Sequence, residues 1–166
     1  RPTWWWWDMI REGLIALTAI VASADNLDSG SDTLDLLVAA VVSTLDVAGK
    51  SCPRQDPELQ RELCDLVSKA VSQCCAQGGD RDRSRIMITV LGKGKSSDPL
   101  VRLAAVKSAR AAFELVGPAM LVSLSEVLQN LSELMEDEDA DVELAVREFI
   151  RVLESQAGES LQERLR

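Results

Sequence analysis

The stretch Asp98-Pro99-Leu100-Val101-Arg102-Leu103-Ala104-Ala105 returns 41 residues later as Asp139-Ala140-Asp141-Val142-Glu143-Leu144-Ala145-Val146. The same offset carries Gly117 onto Gly158, and a fainter copy, Asp56-Pro57-Glu58-Leu59, stands 42 residues before the first. Each part of the motif has a physical task. An aspartate ahead of an apolar run caps a helix by accepting from its first unpaired backbone N–H groups. A proline directly after it suits the first turn, where no donor is needed. The valine faces a core, the alanines let neighbouring helices approach closely, and the glycine ends the helix. A period near 41 is that of two-helix units, which cannot bury their apolar faces alone and therefore stack.

Helical periodicity continues on both sides of this motif, and strand alternation does not occur. The pattern predicts a first helix over Trp5 to Ala24, a loop over Asp25 to Asp32, and a second helix from Thr33 to Ala48 stopped by Gly49. Asp56 and Pro57 open a third helix to Gln77, which Gly78-Gly79 breaks. Arg85 to Leu91 is β-branched enough for a strand, but a lone strand among helices has nothing to pair with, so a helix from Asp80 is expected. Gly92 to Ser97 reads as a loop. A fifth helix runs from the Asp98 cap to Gly117, and a sixth from Pro118 to about Met135. Glu136 to Asp139 is a solvated acidic turn, and the seventh helix covers Ala140 to Ala157 before a final turn to Leu165. The expected fold is all-α, a HEAT- or armadillo-like α-solenoid of about seven helices in antiparallel pairs. It forms a single helical-repeat domain over residues 1–166.

Composition agrees with that reading. The chain has no Tyr and two Phe, and its apolar content is mostly Leu, Val and Ala. That favours closely packed helices over a β-sandwich. The start at Arg1, not a methionine, points to a segment cut from a longer chain. Histidine is absent, which removes the commonest general base and metal ligand. Cys52, Cys64, Cys74 and Cys75 form no CxxC pair, so no zinc site is expected. Cys64 and Cys75, about three helical turns apart, fall on one helix face, and the four read as small buried thiols of a reducing compartment.

Motifs that imitate chemistry fail on inspection. Gly94-Lys95-Ser96 has the ending of a phosphate-binding loop, but the first glycine of that loop would fall on Thr89. Glu136, Asp137, Glu138 and Asp139 lack the alternation and central glycine of a calcium loop. The apolar run Gly13 to Ala24 ends in Ala22-Ser23-Ala24, like a signal-peptidase site. Asp8, Glu12 and four tryptophans stand where a basic region belongs, and the run is too short to span a bilayer, so a buried helix is expected. The reading is of a non-enzyme with no cofactor, metal, small-molecule substrate or membrane partner.

The net charge of −9 is unevenly spread. Asp80 to Arg110 holds eight basic residues against three acidic ones, and Glu126 to the end holds twelve acidic against four basic. An acidic end repels phosphate backbones, so Arg81, Arg83, Arg85, Lys93 and Lys95 are the residues placed to meet RNA or a partner. The alternative is a solvated face. Arg81, Arg83 and Arg85 alternate at a helix start, where positive charge opposes the helix dipole and gains nothing locally. Trp4, Trp5, Trp6 and Trp7 spread over all sides of a helix. Either neighbours outside this chain cover them, or some of the rings make a protein contact.

The last forty residues carry a resemblance. Leu131-Ser132-Glu133-Leu134-Met135-Glu136-Asp137-Glu138-Asp139, then Asp141-Val142-Glu143, Leu153-Glu154 and Gly158-Glu159-Ser160-Leu161-Gln162 resemble the extreme C-terminus of the large HEAT-repeat U3 small nucleolar RNA-associated protein family. Val101 to Gly117 is similar to that family's penultimate repeat, and upstream of about residue 85 the likeness fades, so it covers about half the chain. The resemblance implies a non-catalytic scaffold of the small-subunit processome, acting in ribosome biogenesis and pre-rRNA processing. It implies a place in the nucleolus of the nucleus, other processome proteins as partners, and RNA reached through the larger complex. It supplies no catalytic residues. The competing reading is a HEAT or armadillo adaptor that binds peptide or protein cargo in transport or cytoskeletal assemblies.

Overall fold

Each of the three repeated aspartates begins a helix. Asp56 Oδ1 accepts from the Leu59 N–H at 3.0 Å, Asp98 Oδ1 from Leu100 at 2.9 Å, and Asp139 Oδ1 from Asp141 and Val142 at 3.0 and 3.2 Å. The computed structural model describes residues 5–23, 33–51, 56–161 and 165. They form α1 (Trp5–Ser23), α2 (Thr33–Ser51), α3 (Pro57–Gln77), α4 (Asp80–Leu91), α5 (Pro99–Val116), α6 (Leu124–Leu134) and α7 (Ala140–Ala157). Short 3-10 helices at Gly92–Lys95 and Gly117–Ser123 complete the described elements, among which no strand occurs. The expected loop over residues 25–32, Trp4, Cys52 and most of the final turn lie outside the described residues.

The repeat reaches beyond the cap itself. Two residues before each of the later aspartates, a side chain accepts from the aspartate's own N–H: Ser96 Oγ from Asp98 at 3.2 Å and Asp137 Oδ1 from Asp139 at 2.9 Å. The 41-residue offset is therefore an offset of hydrogen bonds as well as of letters.

Helices pack in two layers. The capped helices α3, α5 and α7 lie side by side with α1 on the far side of α3, while α2, α4 and α6 form the second layer. The pairs α2–α3, α4–α5 and α6–α7 join the layers. Val101, Ala104, Ala105, Val142 and Ala145 are all buried, as their equivalent repeat positions require. The Phe113 and Phe149 rings meet edge to face at 5.3 Å between α5 and α7, a geometry aromatic quadrupoles favour. Polar ties accompany the apolar ones. Gln156 Nε2 donates to the Phe113 carbonyl at 2.7 Å, and the buried hydroxyls of Ser68 and Ser108 lie 3.3 Å apart across α3 and α5.

Four expectations need correcting. Helix α2 runs through Gly49 to Ser51, since an interior glycine costs a helix only about 1 kcal/mol and does not by itself end it. Gly92–Lys95 is not an open loop but a 3-10 continuation of α4, with Gly92 still in helical conformation. The sixth helix begins at Leu124, since Gly117 at φ +76° and the donorless Pro118 leave Gly117–Ser123 in 3-10 form. Helix α1 is buried along one stripe only, Trp7, Leu14 and Val21, and leaves Ile15 and Ile20 exposed. Pro99–Leu134 is apolar and long enough to cross a membrane by length and composition, but Gly117 and Pro118 divide it between α5 and α6.

Candidate interaction surfaces

The most buried ion pair among the described residues is one the sequence did not reveal. Arg102 faces the next inter-helix turn, and its Nε and Nη2 donate to Asp137 Oδ2 and Oδ1 at 2.9 and 2.8 Å, while Nη1 donates to the Ser96 carbonyl at 2.9 Å. The two side chains are only 8% and 6% exposed. The turn at 136–139 is therefore not wholly solvated: Asp137 is pulled inward by the guanidinium, and Glu136 and Glu138 stay outside. The hydrogen bond from Arg102 holds the Asp137 carboxyl below its ordinary range, and the same bond raises the Arg102 guanidinium further. The 41-residue register sets Arg102 against Glu143 and gives no hint of the pairing.

Four of the five basic candidates make polar contacts with other described residues. Arg85 pairs with Asp35, Lys93 with Asp46, and Lys95 with Glu133 at 3.4 Å. Arg83 donates to the Cys75 carbonyl and to Asp80, both at 3.1 Å, which anchors the α3–α4 turn. Arg81 is exposed and makes no ion pair with any described residue. The phosphate-loop letters are likewise used internally. Gly94 is buried so close to Leu134 that an added Cβ would stand 3.0 Å from its Cδ1, and Ser96 serves the Asp98 cap.

The tryptophans divide by helix face. Trp5 is 73% exposed, while Trp7 is 5% exposed and belongs to the core, with Trp6 set edge-on against it at 6.2 Å. Cys64, Cys74 and Cys75 are buried. Burial pushes the Cys74 thiol up to about 11 and the Cys75 thiol to about 12, so neither is a nucleophile near neutral pH. Among the described residues no group of three or more His, Cys, Asp or Glu is placed to hold a metal ion. A cleft of about 320 Å³ opens across the first turns of α3, α5 and α7, with Leu100, Leu103 and Leu144 among its lining residues.

These features define a helical stack with open faces and a buried polar tie between successive units. Comparison with known proteins places it further. The chain is 43% identical over 137 residues, 82% of its length, to U3 small nucleolar RNA-associated protein 10 of Aspergillus clavatus. It is 30% identical over 141 residues, 84% of its length, to the protein of that name from Coccidioides immitis. Against the Pyricularia oryzae protein the figures are 38% over 98 residues, 58% of the chain. The chain belongs to the family of U3 small nucleolar RNA-associated protein 10. It spans only 6 to 7% of the length of these curated relatives. Similarity reaches well beyond the half of the chain in which the sequence motifs resembled that family. No family model and no solved structure matches.

Proposed function

We propose that this chain is a non-catalytic HEAT-repeat scaffold segment acting in ribosome biogenesis and pre-rRNA processing, as part of the small-subunit processome in the nucleolus. The observation that carries this reading is the 43% identity over 137 residues to a protein named for its association with U3 small nucleolar RNA. The segment corresponds to the C-terminal end of such a protein. The stacked helices supply what a scaffold needs, two broad faces built from short repeated units. Partners are other processome proteins, and RNA is met within the larger complex. If the chain itself touches RNA it does so through Arg81, Arg83, Arg85, Lys93 and Lys95. Arg81 is foremost, because its charge has no partner among the described residues, and Trp5 of the Trp4–Trp7 run offers a ring to protein. The test is affinity purification of the tagged full-length protein with sequencing of bound RNA and measurement of pre-rRNA intermediates after depletion. Enrichment of U3 RNA with accumulation of unprocessed precursor is expected. Unchanged processing and no U3 enrichment would end this reading in favour of the cargo adaptor.

A further inference from the structure

The cleft across α3, α5 and α7 is built by repetition. Counting from each cap, the fifth residue is Arg61, Leu103 or Leu144, and the ninth residue of the two later units is Lys107 or Glu148. All of these line the same opening, so one face of three stacked units points into it. Leu144 is 54% exposed there, an uncommon fate for a leucine at a repeated helix position.

Charge varies from helix to helix. The α3 side presents Arg61, α5 presents Lys107, and the α7 side presents Asp141 and Glu148. Arg61, Lys107 and Asp141 make no ion pair with any described residue, although opposite charges stand within one cleft. Glu148 is shared with Arg110. A nucleic acid is a poor occupant, because the acidic wall on α7 repels phosphates as strongly as the basic wall attracts them.

We infer that this cleft binds an extended peptide segment that crosses the three helices, with an acidic residue over Arg61, two apolar side chains against Leu100, Leu103 and Leu144, and a basic residue over Asp141 and Glu148. The direction follows from the charges, which change between helices and not along them. Packed helices lie about 8–10 Å apart, so crossing three takes about 16–20 Å. An extended chain rising about 3.3 Å per residue covers that in about six residues. A cavity of this volume sits at the small end of ligand sites, suited to side chains of a peptide more than to a whole helix about 10–12 Å wide. The inference stands on the cleft alone and uses no property of the U3-associated relatives.

The test is selection of a random twelve-residue peptide library on the immobilised 166-residue chain. The enriched peptides are then titrated by fluorescence anisotropy against the wild type and Arg61→Glu, Leu144→Glu and Leu115→Glu. Arg61 and Leu144 are exposed, so the variants keep the fold, which circular dichroism verifies. Leu115 is 53% exposed but lies outside this cleft and serves as the control. Enriched peptides should carry a pair of apolar residues between opposite charges. Their affinity should fall at least tenfold in Arg61→Glu and Leu144→Glu and stay unchanged in Leu115→Glu. Failure to enrich any sequence would overturn the inference, as would equal affinity for all four proteins. A dimer in sedimentation that Leu144→Glu dissociates would also overturn it, by making a second copy the occupant.

Discussion

Arg102 carries a charge at 8% side-chain exposure, and its energetic effect depends on what remains when its partner is removed. Taking both ions from water costs several kcal/mol each, which the bidentate bonds to Asp137 and the bond to the Ser96 carbonyl offset. The pair contributes little net stability, yet breaking it from one side is severe. Asp137→Asn is expected to destabilise by about 3–5 kcal/mol, because the guanidinium stays buried against a neutral amide. Replacing both residues, Arg102→Met with Asp137→Leu, should recover most of that loss. Urea unfolding of the single and double variants measures it, and an Asp137→Asn loss under 1 kcal/mol would refute the buried-pair account. A pH effect follows with a definite sign. The folded Asp137 pKa lies below its ordinary value of 3.8, so its stabilisation is complete above that value and disappears as pH falls through the folded pKa. Thermal midpoints at pH 7 and pH 3 should therefore differ less in Asp137→Asn than in the wild type. None of this was legible in the sequence, where Arg102 counted as one of eight basic residues and Asp137 as one of four adjacent acids. Pairing over 35 positions depends on where two turns meet in space.

Helix ends were far more legible, because caps and stops are local chemistry. Asp56, Asp98 and Asp139 all cap as their positions ahead of apolar runs imply, and the expected helix from Asp80 to Leu91 forms despite its β-branched residues. Glycine is harder to read. Gly117 and Gly158 end α5 and α7 with φ of +76° and +71°, whereas Gly49 lies inside α2. The letter is the same in all of these, and Gly78 ends α3 in a third way, extended at φ −79° and ψ 155°. Gly158→Ala should cost about 1–2 kcal/mol, since the left-handed conformation is strained for any side chain. No atom lies within 4 Å of an added Cβ there, so the cost is purely conformational. Asp139→Ala removes two capping bonds and should cost about 0.5–2 kcal/mol. Thermal denaturation monitored at 222 nm checks both variants, and an unchanged midpoint in either would show that its helix end is not held in this way.

Across the whole molecule, layer order follows from the repeat but the openings between helices do not. Ala104 of α5 and Ala145 of α7 stand at equivalent positions, and the sequence register alone makes them interchangeable. The structure separates them. Ala104 is wholly buried within the stack, where α5 has helices on both sides in its own layer and a second layer beneath. Ala145 is buried too, but α7 has α5 on one side, and Ala145 borders the cleft beside Leu144 and Glu148. A larger side chain at 104 must displace close-packed neighbours, which costs about 1–3 kcal/mol. At 145 the same side chain can turn into open space and cover exposed leucine, so part of the strain is exchanged for apolar burial at about 25 cal/mol per Å². Ala104→Leu should thus lower stability by more than 1 kcal/mol, and Ala145→Leu by clearly less. The second variant should also fill the cleft and weaken the peptides selected on the wild type, whereas the first should leave surviving folded protein able to bind. Urea midpoints and anisotropy titrations on the same two variants decide the matter together. Equal destabilisation, or peptide binding unaffected by Ala145→Leu, would mean that the cleft is closed in solution and that the two alanines are as alike as their register suggests.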